Sequence, residues 1–309
     1  MKPSQSLKLK FLSIFIINFL FITPHVSAKD CKGVLTLNCF SEGLKPIKQQ
    51  SSHGATYGFI NKYYEVVIPL EYSSASNFSE GLASVSKDGK IGFIDKNNKV
   101  IIPFEYKYAC KFSEGLACVY KDGKWGFIDK NNRVMIPFEY NYASFFSEGL
   151  SPVQKNRKYG FINHSGKIVF PIDYESTDIF SEGLASVQKN GKYGFIDSKL
   201  NTIIPFLYDK AWFFNEGLAA VKINGKYGFI DKKNNLIIPY QYDDADIFEN
   251  GLAVVWKNGK SGVIDMSNKV IIPFEFIFIA NLDGDRFTAL KNVGDKFYYF
   301  DNNGIEIAK

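Results

Sequence analysis

One phrase recurs about seven times along this chain: F-S-E-G-L, then a K-D-G-K or K-N-G-K turn, then G-F-I-D, then I-I-P-F-E-Y. The glycines of its E-G-L element stand at Gly43, Gly81, Gly115, Gly149, Gly183, Gly217 and Gly251, a spacing of 38 residues once and 34 thereafter. A fixed period of this length implies stacked copies of one supersecondary unit, each burying its apolar face on its neighbours. The chain can therefore exceed the usual size of one domain, because such proteins grow by adding units.

Residues 1–28 stand outside the repeat. Lys2, Lys8 and Lys10 precede an apolar run from Phe11 to Ile22, followed by Pro24 and the small residues Val26-Ser27-Ala28. This is the pattern of a secretory signal peptide, with cleavage expected before Lys29. The run is shorter than the roughly 20 apolar residues that cross a bilayer, and Lys29 offers no thiol for a lipid anchor. A secreted or periplasmic protein without a membrane span in its mature form is expected. The leader carries three lysines and no acid, so the formal net charge of +5 falls by three when it is removed. Near-neutrality argues against nucleic acid as a partner, since binding it needs a basic face that displaces counterions.

Four cysteines remain in a chain expected to leave the reducing cytoplasm: Cys31, Cys39, Cys110 and Cys118. Each local pair is eight residues apart, and Cys110 and Cys118 flank an F-S-E-G-L element, so a local disulfide across one turn is expected there. Four cysteines allow three connectivities. No C-x-x-C occurs, and the only histidines after the leader are His53 and His164, which gives zinc no ligand set.

Within one unit, Leu82 to Lys87 is a short segment ending at Asp88-Gly89. Asp-Gly and Asn-Gly are favoured in two-residue type I′ hairpin turns, where both central residues need positive φ. The returning strand, Lys90 to Asp95, carries Gly92, and a glycine fixed inside a strand marks a bulge or the close approach of another group. Asp95 opens a turn in which its side chain bonds the backbone. The β-branched segment Lys99 to Pro103 forms the third strand, with Pro103 expected to stop it. No later stretch has sustained 3.6-residue periodicity, so the fold is all-β.

Lys124-Trp125-Gly126-Phe127-Ile128-Asp129, followed by Ile136-Pro137-Phe138-Glu139-Tyr140, resembles a WG repeat, also called the KWG repeat. The resemblance covers nearly all of the chain after the leader. The tryptophan is kept only at Trp125, while Tyr57, Ile91, Tyr159, Tyr193, Tyr227 and Ser261 stand in the other copies. The resemblance implies a β-rich interaction repeat found in bacteria and carries no enzymatic activity with it. The expected layout is a signal peptide over 1–28, an N-terminal cap over 29–44, repeats over 45–276 and a degenerate capping copy over 277–309.

Two architectures fit. Three strands in 34 residues favour an open β-hairpin solenoid, because a propeller blade has four strands and usually about 40 residues or more. A closed propeller of about seven blades is the alternative.

The repeated acids Glu80, Glu114, Glu148, Glu182 and Glu216 invite a catalytic reading, but acid-base chemistry needs two carboxylates in unlike environments. A structural role, accepting backbone N–H groups in the turn, is expected. The Asp95 and Asp129 turns lack the further acids of a calcium loop, and His53 and His164 read as loop residues. No nucleophile, base or phosphate-binding motif is present, so neither an enzyme nor a cofactor is expected. Phe59, Phe93, Phe127, Phe161, Phe195 and Phe229 recur at one position and read as core. The varied position before glycine suggests an outward ladder of Tyr57, Trp125, Tyr159, Tyr193 and Tyr227, able to stack on a sugar or clasp a peptide; the alternative is packing between repeats, since repeated aromatics are more often core than site. The sequence thus points to an exported, non-enzymatic scaffold for a protein, peptide or cell-envelope glycan. The alternative is a structural component of the envelope without a small ligand.

Overall fold

Each full copy of the phrase folds into a four-stranded antiparallel sheet, one strand more than the sequence pattern suggests. The computed structural model describes residues 40–51, 54–281 and 286–307. The leader, Cys31 and Cys39 lie outside the described residues, as do most of the expected N-terminal cap and His53. Among the described residues there are eight sheets and no helix, hence none long and apolar enough to cross a membrane.

The first sheet comprises β1 (Leu44–Ser51), β2 (Gly54–Asn61) and β3 (Val66–Tyr72). The second adds a short leading strand: β4 (Ser74–Ala75), β5 (Ala83–Lys87), β6 (Lys90–Ile94) and β7 (Val100–Tyr106), hydrogen-bonded in that order. Five further sheets repeat the second. The eighth has three strands, Phe278–Asn281, Arg286–Leu290 and Tyr298–Asp301, with a bridge from Phe300 to Glu306. The sheets are the blades of an eight-bladed β-propeller ring. This corrects the expectation of an open solenoid, and the blade count exceeds the seven of the alternative.

The extra strand exists because F-S-E-G-L is itself a hairpin. Ser79 and Leu82 bond each other reciprocally, at 2.9 and 3.2 Å, across Glu80 (φ 54°) and Gly81 (φ 86°). Both central residues are left-handed, the geometry of a type I′ turn. Asp88-Gly89 makes the expected second turn of this kind, at φ 52° and 73°.

Pro103 does not end β7, which continues to Tyr106. The β6–β7 register slips, pairing Phe93 with Ile102 but Ile91 with Tyr106, so a bulge accommodates a residue with no N–H to donate. The bulge lies over Gly92, where a Cβ would sit 2.6 Å from the Ile102 carbonyl oxygen and 3.1 Å from the Phe104 ring.

The core lies between blades. Leu82, Phe93, Ile102 and Tyr106 of the second blade pack on Ala117, Val119 and Ile128 of the third, with Phe112 between them. The next residue of β6, Ile94, points the other way and joins Phe59, Ile68 and Val85. Period-2 alternation thus makes each G-F-I-D strand serve two cores. Phe93 and Phe112, both fully buried, meet at 5.0 Å between ring centroids.

Polar seams repeat alongside these cores. The Tyr72 hydroxyl donates to Asn98 Oδ1 of the next blade at 2.7 Å, and Tyr106 donates to Asn132 likewise. Ser79 Oγ donates to the Phe112 carbonyl at 2.7 Å. The repeated glutamates accept the N–H of the corresponding glycine one blade on: Glu42 from Gly81, Glu114 from Gly149 and Glu182 from Gly217. Their role is structural as expected, but it acts between copies and not within one turn.

Candidate binding face

Comparison of the copies separates what the scaffold requires from what it leaves free. One row of each full blade is constant, with Val85 opposite Gly92, Val119 opposite Gly126, Val187 opposite Gly194 and Val255 opposite Gly262. Packing under the bulge fixes both residue types. The adjacent row, one step nearer the D-G turn, changes from blade to blade. It reads Ser74, Ser86, Ile91 in the second blade and Tyr108, Tyr120, Trp125 in the third. In the fourth it is Tyr142, Gln154, Tyr159, and in the fifth Ser176, Gln188, Tyr193. Lys210, Lys222, Tyr227 and then Asp244, Trp256, Ser261 follow.

Rings crowd this row at the third and fourth blades. Tyr108 and Trp125 are stacked, with centroids 6.4 Å apart and planes 21° from parallel. Tyr120 contacts both, at 5.6 and 5.5 Å. Trp125 reaches across to Tyr142 at 6.5 Å, and Tyr142 meets Tyr159 at 5.8 Å. Tyr108 is 51% exposed and Tyr142 41%, while the other three rings are half-buried. Burial, followed by the Tyr142 and Tyr193 phenols, pushes the Tyr159 hydroxyl above its ordinary pKa.

The proposed outer ladder does not run round the ring. Trp125 and Tyr159 belong to the platform, and Tyr57 is half-buried with Lys48 Nζ 5.7 Å from its centroid. Tyr193 and Tyr227 are buried, at 9% and 5% exposure, beneath Lys210 and Lys222 at 5.7 and 4.9 Å. Burial pushes the Tyr227 phenol up to about 12. Neighbouring residues of the variable row, and not the repeat position, decide which rings face solvent. Sequence reasoning missed Tyr108 and Tyr142 because their short strand went unrecognised, and Tyr120, on the recognised strand Ala117–Lys121, because only the position before glycine was considered. The available signal was the K-Y-A and N-Y-A of Tyr108 and Tyr142 where the preceding copy has S-S-A.

Beside the platform, between the second and third blades, opens a cleft of about 390 Å³ lined by Lys90, Glu105, Lys107, Tyr120, Lys121, Asp122 and Gly123. Lys121 Nζ binds Glu105 Oε2 at 2.5 Å and Asn132 Nδ2 donates to its Oε1 at 2.9 Å, which holds the Glu105 carboxyl below its ordinary pKa. Lys107 Nζ stands 5.6 Å from the Tyr108 centroid.

Cys110 and Cys118 form the expected disulfide, with Cα atoms 5.2 Å apart. In the second blade the same place holds Ser76 and Ser84, whose hydroxyls are hydrogen-bonded at 2.9 Å. Asp95 Oδ1 accepts the N–H groups of Asn97 and Lys99, both at 2.9 Å, as its turn chemistry requires. His164 stacks on Phe146 at 4.3 Å and sets Nε2 3.1 Å from Glu114 Oε2, where Lys130 meets Glu80 in the preceding copy.

A family model described as "WG containing repeat" matches six consecutive segments, 57–90, 91–125, 125–159, 159–193, 193–227 and 227–260. The chain belongs to the WG-repeat family. A comparison with curated proteins finds no sequence match. Among solved structures it is similar to a eukaryotic initiation factor, with TM-score 0.59 and 12% identity over 85% of this chain and 83% of that one. It is also similar to the dihydro-heme d1 dehydrogenase NirN, with TM-score 0.54 and 14% identity over 93% of this chain and 76% of that one. At such identities the likeness concerns the fold alone.

Proposed function

We propose that this protein is an exported, non-enzymatic binding scaffold that presents the variable row of its propeller to a glycan, peptide or protein partner. The observation that carries this reading is the continuous platform of five rings across the third and fourth blades, with Tyr108 and Tyr142 open to solvent. The rest of the blade is held constant by packing, whereas these positions vary, and large amphipathic rings are the side chains that most often anchor a partner. The Lys-rich leader and the disulfide chemistry support residence outside the cytoplasm.

The test is saturable binding, read from Trp125 fluorescence and by calorimetry, against panels of envelope oligosaccharides and of peptides. Tyr108→Ala with Tyr142→Ala removes the binding while the fold persists. No saturable binding in either panel overturns the reading and favours a purely structural envelope component. Export is checked by the mass of protein recovered from its source, expected to begin at Lys29.

A further inference from the structure

The geometry points to an anionic saccharide, a chain bearing uronic-acid or similar carboxylated sugars, as the ligand of the ring platform and its adjoining cleft; this deepens the scaffold reading above and rests on it. The cleft brings three lysines against two carboxylates. Glu105 is already held by Lys121 and Asn132, which leaves it little capacity to repel or attract a further group. Among the described residues, Lys90 and Lys107 have no carboxylate within ion-pair distance, and Lys107 lies against the Tyr108 ring. Both lysines are exposed, as is Asp122 on the D-G turn at the same cleft.

Two lysines at the equivalent position of later blades have a carboxylate partner. Lys192 pairs with Asp209 at 2.5 Å and Lys226 pairs with Asp243. Lys90 is the counterpart of those two lysines in the second blade, and the residue matching Asp209 and Asp243 is Lys107. This seam therefore has an ammonium where those two have a carboxylate, and the two ammonium groups lining one cleft favour an anionic ligand there. The rings alongside supply the second half of the recognition. The apolar face of a pyranose stacks on Tyr or Trp, while a carboxylate on the same sugar reaches the ammonium groups. An anionic sugar polymer meets both demands at once, whereas a neutral sugar uses only the rings.

The test uses the full mature chain, with tetragalacturonate as the acidic probe and a neutral tetrasaccharide of equal length. Tetragalacturonate is expected to bind at least tenfold more tightly than the neutral sugar, with affinity falling as salt rises. Lys90→Gln with Lys107→Gln should remove that advantage, and Lys107→Asp alone should do the same by restoring the pairing seen at Lys192. Tyr108→Ala should weaken both sugars, and Lys296→Gln neither. Matched thermal melts show that the variants are folded. Equal binding of acidic and neutral sugars, or acidic binding unchanged by the lysine variants, overturns the inference and leaves the scaffold reading intact. Binding of acidic peptides with no saccharide binding overturns it as well. Absence of binding across both panels overturns the scaffold reading itself.

Discussion

Glu80 accepts the backbone N–H of Gly115, the matching glycine of the next blade, with each carboxylate oxygen 3.2 Å from the nitrogen. Lys130 Nζ adds a contact to Glu80 Oε2 at 3.1 Å. The glutamate is therefore a clamp between hairpins, and its left-handed backbone places the carboxylate toward the neighbour. Glu80→Ala should cost about 1.5–3 kcal/mol, the usual range for a hydrogen bond to a charged group. Glu80→Gln, which keeps an acceptor, should cost less than half as much. Urea denaturation of the two variants checks the order, and equal losses would place the stabilisation elsewhere.

Leu200 occupies the turn position where other blades have Asn98, Asn132, Asn234 and Asn268, and it adopts φ 71°. A bulky residue in the left-handed region is strained by about 1–2 kcal/mol. Its blade also lacks the side-chain acceptor found elsewhere, for Tyr72, Tyr106 and Tyr242 each donate to an asparagine 26 residues on, and the residue at that offset from Tyr174 is Leu200. Leu200→Asn should raise stability by about 1–2 kcal/mol by relieving the backbone and supplying the Tyr174 bond. Leu200→Gly gives the backbone part alone, so a smaller gain is expected in its thermal melt.

The repeat, the all-β class and the Asp88-Gly89 hairpin were legible because each rests on local residue chemistry. The fourth strand was not. Glu80-Gly81 forms the same kind of turn as Asp88-Gly89, but glutamate lacks the short side chain that makes Asn and Asp recognisable at positive φ. Without that hairpin the unit counts three strands and the length argument selects a solenoid. Pro103 misled in the same direction, since a bulge lets the strand continue beyond it. At the site, Trp125 and Tyr159 could be found from the position before glycine. The exposure of Tyr108 and the burial of Tyr193 depend on neighbouring blades, which one repeat cannot display.

Gly194 tests the bulge. A Cβ there would lie 2.7 Å from the Ile204 carbonyl oxygen and 3.0 Å from both Phe206 N and Pro205 C, all backbone atoms. The strand must move to admit a methyl group, so Gly194→Ala should destabilise by about 2–3 kcal/mol. Its buried neighbour Tyr193 gives the contrast, because Tyr193→Phe keeps the packing and should change stability by less than about 1 kcal/mol. Similar denaturation midpoints for the two variants would argue that the strand yields freely.

Glu249 replaces the serine of the repeated phrase and is held at about 6, above the ordinary 4.5, by burial first and the Glu216 carboxylate second. Among the described residues its Oε1 has no hydrogen-bond partner, while Glu216 accepts the N–H groups of Asn250 and Gly251 at 2.8 Å each. Because the folded form holds this proton more tightly than the unfolded one, the contribution of Glu249 is full below about pH 4.5 and is lost as pH rises through about 6. Glu105 and Asp243, held low by Lys121 and Lys226, act in the opposite sense: their stabilisation is lost as pH falls. Glu249→Gln should therefore match the parent protein near pH 4 and exceed it by about 1 kcal/mol at pH 7, a value discounted for partial exposure. Urea denaturation at pH 4, 5.5 and 7 reads the difference, which must grow with pH; a constant difference would show that Glu249 does not titrate in this range.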